Sequence, residues 1–252
     1  MVDVEPVTTE PPGHVRPSVL SQTWRQVTFV HWPIDPADAE RLLPPGTAPD
    51  IVGGVTYVGL VAFRMDRVRP RGFPVVPHLS EFAETNVRLY SVDDAGRRGV
   101  VFLSMDAERL IPVIIGRAMG LPYRWSRMRI EAHGGNVSYL CQPGRAGRPS
   151  RLAIEIGDPI ADQSAHERFV TARWGMHCGR RYLPTEHPAW PLHRARLTSG
   201  EDTLVSAAGL PGVTDEPPAS VLYSPGVHAR FGPRRSEGEH RPIPLGDIDE
   251  PA

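Results

Sequence analysis

Polar side chains alternate along residues 81–92 in the manner of one face of a β-strand. The polar members of this face are Glu84, Asn86, Arg88 and Tyr90. The opposite face is mostly apolar, which predicts that it packs against another layer of the protein. The polar face either forms a solvated outer surface or lines an internal cavity. Likewise, Glu84 and Arg88 either form an ion pair along the strand or act on a ligand.

Inside a closed cavity these groups suit proton transfer. Burial raises the pKa of a carboxyl such as that of Glu84, and a nearby guanidinium lowers it, so a glutamate between these influences can act as a general base or acid. The planar fork of Arg88 fits a carboxylate or an enolate, and a tyrosine hydroxyl can donate to a developing oxyanion. Such a set suits enol(ate) chemistry on a β-dicarbonyl or polyketide-like substrate, by dehydration, cyclisation, isomerisation or decarboxylation.

Covalent chemistry by a side-chain amine is excluded, because the chain contains no lysine and all 28 of its basic residues are arginine. A Schiff base with a carbonyl substrate, a pyridoxal phosphate linkage and a P-loop lysine each require a lysine side chain. The sequence also lacks the dinucleotide-binding GxGxxG, the HExxH and the GxSxG motifs. Its ten histidines are too scattered to predict a zinc site. We therefore expect no metal and no cofactor.

Charge and hydropathy indicate which classes of partner the protein does not bind. The formal net charge of −1 gives no electrostatic footprint for nucleic acid. No apolar run approaches the length of a membrane span, and the first residues lack the basic region and apolar core of a signal peptide. We expect a cytoplasmic protein that binds a small carbonyl or carboxylate compound, with no nucleic-acid or membrane partner and with homo-oligomerisation left open.

Many short strands with few helices predict an α+β fold on a large antiparallel sheet or barrel. The predicted hairpins span residues 81–106 and 123–142. Further strands are predicted at 24–30, 55–65, 151–156, 193–198 and 221–223, a basic loop at 67–77, and helices after Asp35, over 107–119 and over 163–177. Residues 1–18 are predicted to form a flexible arm, 19–232 a single domain and 233–252 a flexible tail.

Four blocks, at residues 81–90, 99–107, 120–123 and 187–195, resemble in order and spacing the DUF2071, or YqjF-like, family of bacterial proteins. The resemblance spans roughly residues 20–230. A fifth block, 169–176, departs modestly, with Trp174 where a tyrosine is commoner. The family is similar in fold to the acetoacetate decarboxylase superfamily. The resemblance thus implies a strongly curved antiparallel sheet, closed into a cone-like barrel around a central cavity and flanked by a few helices.

The resemblance also implies a site. In acetoacetate decarboxylase the reactive lysine and its cationic neighbour follow a Gly-x-Pro turn, which matches residues 120–122 here. Tyr123 therefore falls at the position of the nucleophile and Arg124 at that of its neighbour. The cavity glutamate of the family corresponds to Glu84, with Glu81 as the other candidate. The catalytic candidates are Glu84, Tyr123 and Arg88, and the substrate-binding candidates are Glu81, Asn86, Tyr90, Arg124 and Arg117.

Three functions remain open from the sequence. The first is a small-molecule enzyme that uses non-covalent acid/base catalysis and enol(ate) stabilisation. The second is a non-catalytic binding protein, a sensor or carrier, that uses the same cavity. The third is an interaction or scaffold protein, which predicts a cavity that is small or filled by side chains. Fold analogy alone does not choose among them.

Overall fold

The computed structural model describes residues 3–76, 79–144 and 147–236. The longer elements in these ranges are strands, most of which run antiparallel to the next strand along the chain. In chain order the elements are β1 (Leu20–Ile34), α1 (Pro36–Glu40), β2 (Thr47–Pro49), β3 (Thr56–Pro70), β4 (Phe82–Asp93), β5 (Arg98–Ala107), α2 (Leu110–Ala118), β6 (Tyr123–His133), β7 (Asn136–Pro143), β8 (Ser150–Pro159), α3 (Ala165–Thr171), β9 (Gly175–Cys178), β10 (Arg181–Glu186), β11 (His193–Glu201), α4 (Leu204–Ala207), a 3-10 turn (Val213–Asp215), β12 (Ser220–Phe231) and β13 (Arg235–Ser236).

These strands join into one large curved sheet, in the order β13-β10-β9-β5-β6-β7-β8-β11-β12-β1-β3-β4-β2. Two further pairings, β4 with β5 and β10 with β12, connect strands that lie far apart in this order. Most neighbours are antiparallel, as the sequence predicts. The exception is β5, which pairs in parallel with both β6 and β9. The sheet was predicted to be antiparallel, and this expectation is corrected at β5. β5 and β6 are parallel because α2 lies between them and returns the chain, so that both strands run in the same direction.

The two predicted hairpins are confirmed. β4 and β5 pair from Glu84–Ala107 to Val92–Arg98, and β6 and β7 pair from Ser126–Pro143 to His133–Asn136. The β4–β5 turn is closed by Asp93, whose Oδ1 accepts from the backbone N–H groups of Ala95 and Arg97 at 3.0 and 2.9 Å. The aspartate supplies the side-chain acceptor that favours this residue type in tight turns.

Several predicted boundaries are wrong, and the structure shows the reason for the following three. β1 was predicted to end before Pro33, but it continues to Ile34. Its pairing with β12 ends at His31, so Pro33, which has no N–H to donate, breaks no hydrogen bond with β12. β3 continues to Pro70 through residues that were predicted to form a basic loop. The predicted helix 163–177 divides into α3 and β9. A β-carbon on Gly175 would lie 2.2 Å from the Tyr182 ring on β10, so this glycine permits the close strand pairing that ends the helical pattern.

Two apolar clusters occupy opposite faces of the sheet. Neighbouring residues of one strand, such as Leu60 and Val61 on β3, belong to different clusters, as the alternation of a strand requires. The cluster that contains Val61 also contains Phe29 and Phe82 and forms much of the wall described below. No helix in the described part of the chain combines the length and apolar character needed to cross a membrane.

The segments predicted as arm and tail both contact the domain where they are described. The backbone N–H of Glu5 donates to the Gly96 carbonyl at 2.9 Å, and Val15 is buried. At the other end, β13 pairs with β10. Residues 5–15 are therefore not a free arm, because Glu5 is hydrogen-bonded to the domain and Val15 is buried against it. The remainder of the predicted tail, 237–252, lies outside the described residues.

Candidate functional site

A cavity of about 690 Å³ lies against the face of the sheet that carries Phe29 and Phe82. This volume is within the range of about 300–1,000 Å³ that is typical of small-molecule sites. Most of the lining is apolar, with aromatic side chains from β1, β3, β4 and β5: Trp24, Phe29, Phe63, Phe82 and Phe102. A cavity of this size does not agree with the small or filled cavity expected of a scaffold protein.

The polar row of β4 faces this cavity. Glu84, Asn86 and Arg88 all line it, together with Phe82 from the same face of the strand. The opposite face of β4 is buried as well, so the strand has no solvated side. The row is therefore not the solvated outer surface that the sequence left open.

Glu84 is the carboxyl-bearing residue of the row and is deeply buried, with 1% of its surface exposed. Its Oε2 accepts a hydrogen bond of 2.9 Å from the hydroxyl of Tyr123, at the start of β6. Burial raises the pKa of Glu84 to about 7, against smaller opposing contributions from hydrogen bonds with Tyr123 and Asn86. Burial and the neighbouring Glu84 raise the pKa of Tyr123 well above its usual range, so this hydroxyl stays protonated and available as a donor.

Asn86 presents an acceptor without a partner. A carboxylate only accepts hydrogen bonds, so the bond that Asn86 makes with the ionised Glu84 uses the amide Nδ2 as donor. The Oδ1 atom of Asn86 is buried and has no hydrogen-bond partner among the described residues. Buried polar atoms are rarely left unpaired. A ligand hydroxyl in the cavity would satisfy this oxygen.

Arg88 does not form the ion pair with Glu84 that the sequence left open. Its Nη2 donates to the Val170 carbonyl at 2.9 Å and its Nε to the Tyr90 hydroxyl at 3.2 Å. Its guanidinium also lies 5.5 Å from the centre of the Phe29 ring. These contacts hold the cation at the cavity wall while leaving the carboxyl of Glu84 without a paired charge.

Four of the predicted substrate-binding residues lie outside the cavity wall. The Tyr90 hydroxyl is buried behind it, bonded to His31 Nε2 at 2.6 Å and to the Val170 carbonyl at 2.8 Å. Glu81 is exposed on the outside, where it pairs with Arg64 at 3.5 Å.

Arg117 and Arg124 also point elsewhere. The Nε of Arg117 donates to the Tyr123 carbonyl at 2.7 Å from an exposed position. Arg124 pairs with the buried Asp106 at 2.5 Å. Because neighbouring residues of a strand face opposite ways, the turn that directs Tyr123 inward directs Arg124 away. Glu81, Tyr90, Arg117 and Arg124 therefore do not line the cavity, contrary to the prediction that they contact the ligand.

Two cavity residues were given no role from the sequence. His187 lies among Trp24, Trp174 and Trp190. Its Nδ1 is 2.8 Å from the Pro188 carbonyl, which only accepts, so Nδ1 carries the proton and Nε2 is the acceptor. Burial lowers the pKa of His187 to about 4, so the ring is neutral at ordinary pH.

The second is Arg173, a buried cation in the cavity wall that is held by Asp50 through Nη1 at 2.5 Å. His187 and Arg173 lie within two of the sequence blocks that resemble the family. Their place in these blocks was the sequence signal that could have identified them as cavity residues. Among the described residues, no three His, Cys, Asp or Glu side chains converge so that they could hold a metal ion.

Residues 21–228 match the model of the family DUF2071, described as an uncharacterized conserved protein. The chain belongs to this family. It is 28% identical over 200 residues to the uncharacterized protein YqjF of Bacillus subtilis (strain 168), a match that covers 76% of this chain and 82% of YqjF. The family assignment made from the sequence blocks is confirmed.

Solved structures share the fold at low identity. The enduracididine biosynthesis enzyme MppR, complexed with the condensation product of pyruvate and imidazole 4-carboxaldehyde, superimposes with a TM-score of 0.61 at 15% identity, over 92% of this chain and 98% of that chain. The acetoacetate decarboxylase of Legionella pneumophila superimposes with a TM-score of 0.60 at 14% identity, over 88% of each chain. The chain therefore has the acetoacetate decarboxylase-like fold.

Proposed function

We propose that the protein is a small-molecule enzyme that performs acid/base chemistry through an enol or enolate on a β-dicarbonyl or polyketide-like substrate. The observation that carries this proposal is the placement of Glu84. It is a buried carboxyl without a paired cation, hydrogen-bonded by Tyr123, at the wall of a cavity of ligand size. Because burial raises the pKa of Glu84 to about 7, the group exists in both protonation states near neutral pH.

In the proposed step, the carboxylate of Glu84 removes a proton from the carbon between two carbonyl groups. The electron pair of the C–H bond moves to form the carbon–carbon double bond of the enolate, and negative charge develops on the carbonyl oxygen. Arg88 lies on the same wall and offsets this charge. Protonated Glu84 returns this proton to the enolate oxygen, which gives the enol and restores the carboxylate. The enol hydroxyl then donates to the unpartnered Oδ1 of Asn86, and Tyr123 holds the Glu84 carboxyl in position throughout.

The fold supports this proposal in two ways. The pairings of β4 with β5 and of β10 with β12 favour closure of the sheet into a cone-like barrel around the cavity. Proteins of this fold include a decarboxylase and a biosynthetic enzyme that holds a condensation product of pyruvate, an oxo acid. A chain without lysine cannot make the lysine Schiff base that carbonyl chemistry often uses. Non-covalent enolisation remains available to it.

The test is a thermal-shift screen of β-keto acids, 1,3-diketones and lactones, with analysis of every stabilising compound for chemical change. We expect at least one compound to be converted by the parent protein. Glu84→Gln should lose conversion by a factor of 10² or more, as is usual for removal of a general base. Glu81→Gln is the matched control, because Glu81 precedes the same strand but lies outside the cavity. Equal loss in both variants, or full activity in Glu84→Gln, would refute the assignment.

A sensor or carrier is the second candidate, and the predominantly apolar lining favours it. An apolar wall with a few polar groups binds and orients a ligand whether or not a reaction follows. In that case compounds would stabilise the protein and be recovered unchanged. Glu84→Gln would then alter affinity but no turnover would exist to be lost.

A further inference from the structure

The polar and apolar parts of the cavity wall differ in their access to water. The polar side chains of the wall are mostly buried, as Glu84, Asn86 and Arg173 illustrate. The solvent-exposed lining residues are apolar. They include Phe73, with 67% of its surface exposed, and Ile115 on α2, with 56% exposed. The polar groups therefore lie in the buried part of the wall, and the solvent-exposed part, here called the mouth, is apolar.

This arrangement is unusual for a site that takes only small polar compounds. A short β-keto acid would occupy the buried part and leave the mouth in contact with water. Apolar side chains gathered at an exposed opening are typical of an interaction site, since their contact with water is unfavourable. Exposed apolar lining residues come from two separate segments, Phe73, Pro74 and Val76 on one and Ile111 and Ile115 of α2 on the other. An apolar group that passes between them would be covered on both sides.

We propose that the ligand is amphipathic: an enolisable dicarbonyl head with its acidic C–H toward Glu84 and its oxygens toward Arg88, followed by a linear hydrocarbon chain that lies along the apolar mouth. The assignment of the head group rests on the proposed function, whereas the assignment of the chain rests on the mouth alone. A cavity of about 690 Å³ has room for both parts. The substrate class is thus a medium-chain acyl compound with a 1,3-dicarbonyl end.

The experiment is isothermal titration of straight-chain 1,3-diketones in which one alkyl group grows from methyl to undecyl. Each methylene that enters the mouth should tighten Kd about fourfold, until the chain emerges into solvent and the gain stops. Each diketone is also analysed for chemical change, so that binding and reaction are scored separately.

Two neighbouring positions on α2 provide a matched pair of variants. Ile115 lines the cavity, whereas Ile114 does not, and their exposed fractions are nearly equal at 56% and 58%. Both variants should fold, because neither side chain is in the core. Ile115→Glu should weaken the long-chain diketones by tenfold or more and leave the methyl compound unchanged. Ile114→Glu should leave the whole series unchanged.

A Kd independent of chain length, with the short diketone still bound and converted, would overturn this inference and leave the proposed function intact. Chain-length dependence without conversion would support the inference and remove the proposed enzyme activity. Native mass spectrometry provides the last check. If the parent is a dimer that both Ile114→Glu and Ile115→Glu dissociate, the mouth is a contact between two copies of the chain, and the inference is wrong.

Discussion

Gly116 on α2 lies directly against the ring of Tyr123. A β-carbon built on Gly116 would be 2.1 Å from Cδ2 of Tyr123, far inside van der Waals contact. The helix therefore fixes the position of this ring, and the ring carries the hydroxyl that donates to Glu84. Because Gly116 has no side chain, the Tyr123 ring can pack against α2 in the position from which its hydroxyl donates to Glu84.

Gly116→Ala is expected to displace Tyr123 and to weaken the function of the site. Alanine in a helix usually stabilises by about 1 kcal/mol relative to glycine, but overpacking costs about 1–3 kcal/mol. We therefore expect a net decrease in the free energy of unfolding, measured by urea denaturation, together with reduced ligand binding. In a Tyr123→Ala background the same substitution should stabilise the protein, because the clashing ring is gone. A stabilising effect in the parent would contradict the contact.

Tyr123→Phe is expected to raise the pKa of Glu84 above about 7. The hydroxyl of Tyr123 favours the ionised carboxylate, and its removal leaves the opposing influence of burial. A hydrogen bond to a charged group contributes about 1.5–3 kcal/mol, which corresponds to roughly one to two pH units. The midpoint of the pH profile for turnover, or of the ¹³C chemical shift of the Glu84 carboxyl, should move to higher pH. The phenylalanine ring keeps the contact with Gly116, so an unchanged midpoint would mean that the hydroxyl does not act on Glu84.

The family and the polar strand could be predicted from the sequence. Alternation of Glu84, Asn86 and Arg88 is a local property of one strand, and its direction toward a cavity followed from the resemblance to a family with a known fold. Tyr123 was found in the same way, from its place after a Gly-Pro turn. Such predictions succeed because a strand places every second side chain on the same face, whatever its partners are.

The outer residues could not be predicted, because they depend on partners distant in the sequence. Arg124 pairs with Asp106, on a strand parallel to its own. The carboxylate of Asp50 binds Arg173 across 123 positions of the chain. Tyr90 belongs to the same apolar cluster as Phe82, but His31 and the Val170 carbonyl hold its hydroxyl, so Tyr90 lies behind the wall instead of in it. Tertiary pairing decides each of these cases.

Arg88→Met is expected to weaken binding of ligands with a carboxylate or enolate while the fold persists. Methionine retains much of the apolar stem but loses the cation. The loss of a charged hydrogen bond to the ligand should weaken Kd by about 10- to 100-fold. The Val170 carbonyl keeps its bond from the Tyr90 hydroxyl, so the free energy of unfolding should fall by only about 1–2 kcal/mol. Arg64→Met, on the exterior of β3, is the control, and titration calorimetry with the same ligand should detect no change for it.

Glu84→Gln is expected to change the dependence of stability on pH. The pKa of Glu84 is raised in the folded protein from 4.5 to about 7, so the folded state holds a proton that the unfolded state has released between these values. The free energy of unfolding of the parent therefore falls as pH rises from about 4.5 to 7, and the penalty is complete above pH 7. A difference of roughly 2.5 pH units corresponds to about 3 kcal/mol.

Glutamine cannot ionise, so Glu84→Gln lacks this contribution, while all other titrating groups are shared with the parent. Urea denaturation at pH 5 and pH 8 should show that the parent loses about 2–3 kcal/mol more than the variant between these two conditions. Glu81→Gln, at an exposed position, should follow the parent. If parent and Glu84→Gln lose stability equally, the carboxyl of Glu84 has no raised pKa in the folded protein. Its proposed role as the proton-transfer group near neutral pH would then have no physical basis.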